Sequence, residues 1–139
     1  MVRLHRPVTA VAGALVLALS LTACGCGSRP VTTAKYFSGE PVSHWLDQAK
    51  STNAKQRLKA LDVLGNVGPA DPGAIPALIT GIKDKDAKCR SASILALSKI
   101  GPDAKAALPA LNEISQSEKD PAIKKQIQIA MDRIQGQNP

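Results

Sequence analysis

The sequence predicts an all-α protein, a short α-solenoid of about three stacked helix pairs, on three observations. Segments recur at an offset of 33: Ala74-Ile75-Pro76-Ala77-Leu78 returns as Ala107-Leu108-Pro109-Ala110-Leu111, and Val67-Gly68-Pro69 as Ile100-Gly101-Pro102. Helix start and stop residues fall at matching places in each copy. Aromatic residues make up 2% of the chain against 44% hydrophobic, which removes much of the side-chain stock that sandwiches and barrels use. One helix pair of this length cannot bury enough apolar surface to be stable, so the copies must stack.

The chain opens on a different kind of segment. Residues 1–23 contain no acid, carry Arg3, His5 and Arg6, and run apolar from Val8 to Leu21, the pattern of a secretory signal. That run is shorter than the roughly 20 residues a retained membrane span needs. It ends in Leu21-Thr22-Ala23-Cys24, which resembles the lipobox of bacterial lipoprotein signal peptides. The resemblance implies cleavage between Ala23 and Cys24 and a diacylglycerol on the Cys24 sulfur. It also implies export to the cell envelope, with the protein lipid-anchored to a membrane and either facing the periplasm or carried to the outer membrane. Gly25, where retained lipoproteins have Asp, is the position bearing on that choice. Two or three acyl chains, at about 0.8 kcal/mol per buried methylene, hold firmly where one is marginal. Residues 24–40 are expected to be the lipidated Cys and a tether. Its Gly-, Ser-, Thr- and Pro-rich part, Gly25 to Ala34, spans at most roughly 35 Å.

Residues 41–136 form the expected repeat domain, with 137–139 as a tail. Each unit reads as a short helix (Val42 to Lys50, about Ala74 to Lys83, about Ala106 to Ser115) and a longer one (Ala54 to Val67, Ala87 to Ile100, Pro121 to Ile134). Pro76 and Pro109 fall in opening turns, where a missing N–H costs little. Asn53, Asp86 and Asp120 stand in N-cap position, and Gly68, Gly101 and Gly136 end the longer helices. On a 100° wheel Cys89, Ser93, Ala96, Leu97 and Ile100 form a core stripe, matched by Gln56, Ala60, Val63, Leu64 and Val67. One residue inserted before Asp120 shifts the third unit to an offset of 34.

The segment from Cys89 to Pro102, preceded by Leu78, Ile82 and Lys83-Asp84-Lys85-Asp86, resembles the short bacterial HEAT-like repeats also found in phycobilisome lyases. Arg57, Ala60, Leu64, Gly65, Val67 and Gly68 match the pattern well, Arg90 and its neighbours moderately, and the third unit poorly. The resemblance implies an Asp-Arg ladder tying unit to unit, with Arg57, Arg90 and Lys124 four residues after Asn53, Asp86 and Asp120; the alternative for these residues is anion binding. It also places the second helices on the concave surface. There Leu95 and Ile129 lie opposite the core stripe, with Asp62 as their counterpart in the first unit. They are flanked by Lys59, Asn66, Lys88, Lys99, Gln126 and Arg133. This row is a candidate partner-binding strip, the alternative being packing against a neighbouring unit.

Tyr36, Phe37 and Trp45, the only aromatic residues, lie together at the start of the array, as a cap over its open end or as a partner anchor. Cys89 sits where the repeat has a buried apolar residue, and Cys26 lies on the tether, unpaired or bonded to another molecule or to Cys89. His44 has Asp47 on its helix face but Ser43 turned 100° away, so no nucleophile-base arrangement and no metal site is expected. Without Arg3 and Arg6 the net charge falls from +7 to +5, spread among acids, which is no nucleic-acid footprint. The expected protein is a non-enzymatic scaffold or adaptor for a protein partner, joined to the membrane through its lipid. No cofactor is expected beyond that lipid. The alternative is an accessory or chromophore-lyase-like factor.

Overall fold

Residues 36–137 are described by the computed structural model; the segment 1–35, with Leu21, Thr22, Ala23, Cys24 and Cys26, lies outside the described residues. Tyr36–Phe37 (β1) and Glu40–Pro41 (β2) pair antiparallel around Ser38 and Gly39, both at positive φ. The tether expected to run to residue 40 therefore gives way to a hairpin at Tyr36. Its reason is tertiary: the indole Nε1 of buried Trp45 donates to the Phe37 carbonyl at 3.0 Å. Six α-helices follow among the described residues: α1 (Val42–Gln48), α2 (Ala54–Val67), α3 (Ala74–Gly81), α4 (Ala87–Ile100), α5 (Leu108–Ser117) and α6 (Pro121–Ile134).

The long helices begin and end where the sequence places them. Asn53 accepts from the Lys55 N–H, Asp86 from those of Lys88 and Cys89, and Asp120 from that of Ala122. Gly68 and Gly101 close α2 and α4 at φ 55° and 69°, where a side chain would be strained. The short helices differ from expectation. α1 and α3 stop two residues early, and α5 begins at Leu108 rather than Ala106, behind a 3-10 stretch over Gly101–Ala107. Starting at Ala106 would carry Pro109 beyond the first turn, to a position where the helix needs an N–H that proline lacks.

Side by side, α2, α4 and α6 form the closer-packed, inner layer; α1, α3 and α5 cover its back and scarcely touch one another. Leu64, Leu78, Leu97, Leu111, Ile127 and Ile134 are fully buried between the layers. Two corrections to the core stripe follow from this sandwiching. Gln56 is exposed, while Leu61 and Ile94, outside the stripe, are buried, because α2 and α4 each bury a second face against the next unit. At Gly65 α2 and α4 approach closely: a Cβ there would sit 2.6 Å from Ala96 Cβ.

The ladder exists, with different acids. Arg57 Nε and Nη2 donate to Asp84 at 2.7 and 2.9 Å, and its Nη1 donates to the Ser51 and Thr52 carbonyls. Arg90 likewise donates to Glu118 at 2.8 and 3.3 Å and to the Asp84 and Lys85 carbonyls. The N-cap carboxylates are already committed to backbone N–H groups, so the partner is the acid two residues before the cap of the next unit. Asp84 and Glu118 are themselves 34 apart.

This arrangement is sensitive to acid. The Arg57 guanidinium holds the Asp84 carboxyl below its ordinary range, aided by the Asp86 N–H and opposed by burial. For Glu118 the Asp120 N–H is the largest influence, with Arg90 and the Lys119 N–H adding to it against burial. Depressed native values mean the contribution is complete above the unfolded carboxyl values of about 4 and is lost as pH falls below them toward the native ones. Urea midpoints should therefore hold steady from about pH 7 to 5 and drop below about pH 4. An Asp84→Asn, Glu118→Gln chain, less stable at neutral pH, should show a shallower acid slope. A slope equal to wild type would contradict the ladder.

The two ends of the stack are finished differently. At the first unit Trp45 and half-buried Phe37 close over it, while Tyr36 is 70% exposed and takes no part. At the third, positions that face the next unit turn polar: Leu61 and Ile94 correspond to Gln128, Gly65 and Ser98 to Asp132, and Gln128 Nε2 donates to Asp132 at 2.8 Å. Lys124, the third ladder position, is exposed and makes no ion pair among the described residues.

Candidate partner-binding surface

Equal length and a constant offset bring the inner helices into cross-helix register. Lys55, Lys59, Asp62 and Asn66 on α2 correspond to Lys88, Ala92, Leu95 and Lys99 on α4. On α6 they correspond to Ala122, Gln126, Ile129 and Arg133. Spacings of four, three and four residues keep each set on one helix face. Two cross-helix bonds join neighbouring helices along this surface: the Lys99 ammonium donates to Asn66 Oδ1, and Ser91 Oγ pairs with Gln126 Oε1 at 2.7 Å.

The expected strip thus lies together on one face, but its members differ. Leu95 is 52% exposed at the centre, so packing against the next unit does not claim it. Ile129 and Gln126 are half-buried, and Asp62, Asn66, Lys88, Lys99 and Arg133 are exposed. Lys59 turns aside: its Nζ stands 5.3 Å from the centroid of the Trp45 ring, a cation–π contact that ties the strip's edge to the cap. Shallow grooves run on both sides of Leu95. One of about 300 Å³ lies toward α2 over Gly65 and Ala96, and one of about 400 Å³ lies toward α6 over Ser91 and Ala122. The first owes its depth to the glycine.

The expected strip lacks Lys55, Ala92 and Ala122, which complete the lattice; Ala122 follows Lys88 at the 34-residue offset. The 33-residue offset from Lys88 and the 34-residue offset from Gln126 find the other two. An apolar outer groove of about 350 Å³ between α1 and α3, over Leu46, Ala49 and Ala77, has no counterpart in the periodic signal.

Cys89 and His44 lie outside this lattice. Cys89 is buried, its Sγ 3.6 Å from the Ala54 carbonyl, and burial pushes the thiol up, away from the reactive thiolate. His44 is exposed and meets the Trp45 ring edge-on at 5.2 Å. Among the described residues no group of three His, Cys, Asp or Glu could hold a metal ion, and no helix is long and apolar enough to cross a membrane.

Two layers of paired helices, repeating at a fixed offset and joined through an arginine ladder, define an α-solenoid. Residues 42–132, well over half of the chain, match the HEAT-repeat family, and the chain belongs to it. No curated protein and no solved structure matches it. The family's repeats are generally non-catalytic and generally mediate protein interactions.

Proposed function

We propose that this protein is a non-enzymatic scaffold or adaptor, exported and lipid-anchored at Cys24, that binds another protein across the inner helix row at the cell envelope. The observation that carries the binding role is Leu95, a large apolar side chain left half open at the middle of the most regular surface of the stack. Support for the anchor comes from Leu21-Thr22-Ala23-Cys24 at the end of the apolar run.

Two measurements test the two halves. Intact mass of the wild-type chain should show a protein beginning at Cys24 with acyl chains attached, and Cys24→Ser should leave an unlipidated precursor. Cleavage elsewhere with an unmodified Cys24 would end the lipoprotein reading. Capture from detergent-solubilised membranes should recover a protein partner that Leu95→Asp loses while the variant stays folded. A pigment recovered in its place would favour the accessory, chromophore-lyase-like role.

A further inference from the structure

We propose that the occupant of the inner row is an acidic amphipathic helix, one with a narrow apolar stripe flanked by Asp or Glu on both sides. This rests on the scaffold reading and adds the chemistry of the partner. The lattice divides into three bands along the helices. Ala92, Leu95 and half-buried Ile129 form an apolar centre, with half-buried Gln126 beside Ile129; Lys55 and Lys88 stand at one border, and Lys99 and Arg133 at the other.

The dimensions suit a helix. Eleven residues separate Lys88 from Lys99, or about 16 Å at 1.5 Å per residue, and a helix with its side chains is about 10–12 Å across. A helix laid over Leu95 therefore brings the residues beside its apolar stripe under one basic border or the other.

The charge is available. Lys88, Lys99 and Arg133 form no ion pair among the described residues, and Lys99 bonds only the neutral Asn66 amide. The facing acids are few. Asp62 ends the apolar band at the first unit, and Asp86 and Asp120 have a carboxylate oxygen engaged as N-caps. A partner helix meeting Asp62 would carry a neutral or basic residue there. A flat anionic membrane fits less well, because it would leave the grooves on both sides of Leu95 unfilled, whereas the side chains of a helix can enter them.

The test is equilibrium binding of the full chain in detergent to labelled synthetic peptides of about sixteen residues, enough for some four helical turns. One probe has a Leu/Ala stripe flanked by Glu, a second has Lys in place of Glu, and a third has Gln. For the membrane probe, detergent-free chain held by its lipid in phosphatidylcholine nanodiscs is mixed with phosphatidylglycerol vesicles. The Glu peptide should bind at least tenfold tighter than the Lys and Gln peptides. Its affinity should fall by about tenfold in a Lys88→Glu, Lys99→Glu chain of unchanged helicity, and also on raising salt from about 50 to 500 mM. Leu95→Ala should weaken it severalfold. Preference for the Gln or Lys peptide, lost on Leu95→Asp, would overturn the acidic partner and leave the scaffold reading standing. Vesicle binding that depends on Lys88 and Lys99, with no peptide bound, would overturn both.

Discussion

Leu97→Ala should lower the stability of the repeat domain by about 2–5 kcal/mol, while Leu95→Ala, two residues away, should cost under about 1. The two leucines lie 160° apart on α4. Leu97 is fully enclosed, whereas Leu95 is 52% exposed. Truncating the first leaves a cavity between layers that the covering helices can close only by shifting inward from their other contacts; truncating the second returns a partly wet surface to water. Urea titration of the processed chain, followed by helical circular dichroism, reads the difference directly. Equal losses would mean that the register of α4, and with it the exposed row, is wrong.

Gly65→Val should cost about 3 kcal/mol, and the smaller Gly65→Ala should also destabilise, by about 1–2. The sign of the second is the informative part. In the middle of an ordinary helix, alanine in place of glycine stabilises by about 1 kcal/mol. Here the new Cβ would press on Ala96 Cβ, which is fixed to the backbone of α4 and cannot swing away. The helices must separate along the seam that makes the inner layer. A gain in urea midpoint for Gly65→Ala would show that α2 and α4 are not in this close contact.

Legibility in the sequence followed the strength of local signals. The long helices can be read to the residue because Asn53, Asp86 and Asp120 each supply an oxygen to the first turn and Gly68 and Gly101 supply a backbone only glycine adopts easily. The short helices are less sharply marked. Pro109 shows that a first turn is near but not which residue opens it, and the 3-10 stretch ahead of α5 has no distinct pattern. Partners of Arg57 and Arg90 could not be read from an i,i+4 rule, since the cap position and the ladder position compete for the same carboxylate. Comparing Asp84 with Glu118 across the 34-residue offset would have found them. Leu61 and Ile94 escaped a one-stripe analysis because a helix between two others buries two faces.

The binding row shows the same division. Its registration follows from equal helix lengths and constant spacing, both plain in the sequence. What a periodic pattern leaves open is whether Leu95 is covered, and that depends on how closely α2 and α4 approach, hence on Gly65 and Ala96. The contact of Lys59 with Trp45 was equally hidden, because it joins residues on different helices with no shared repeat position.

The most direct measurement places a photo-crosslinking amino acid at position 95 of the full-length, lipidated protein in its own cells, with exposed position 105, in the 3-10 connection between α4 and α5, as the control. A discrete protein adduct is expected from position 95, in the membrane fraction, and none from position 105. Adducts of equal yield from both positions, or lipid adducts alone, would contradict binding across the inner row.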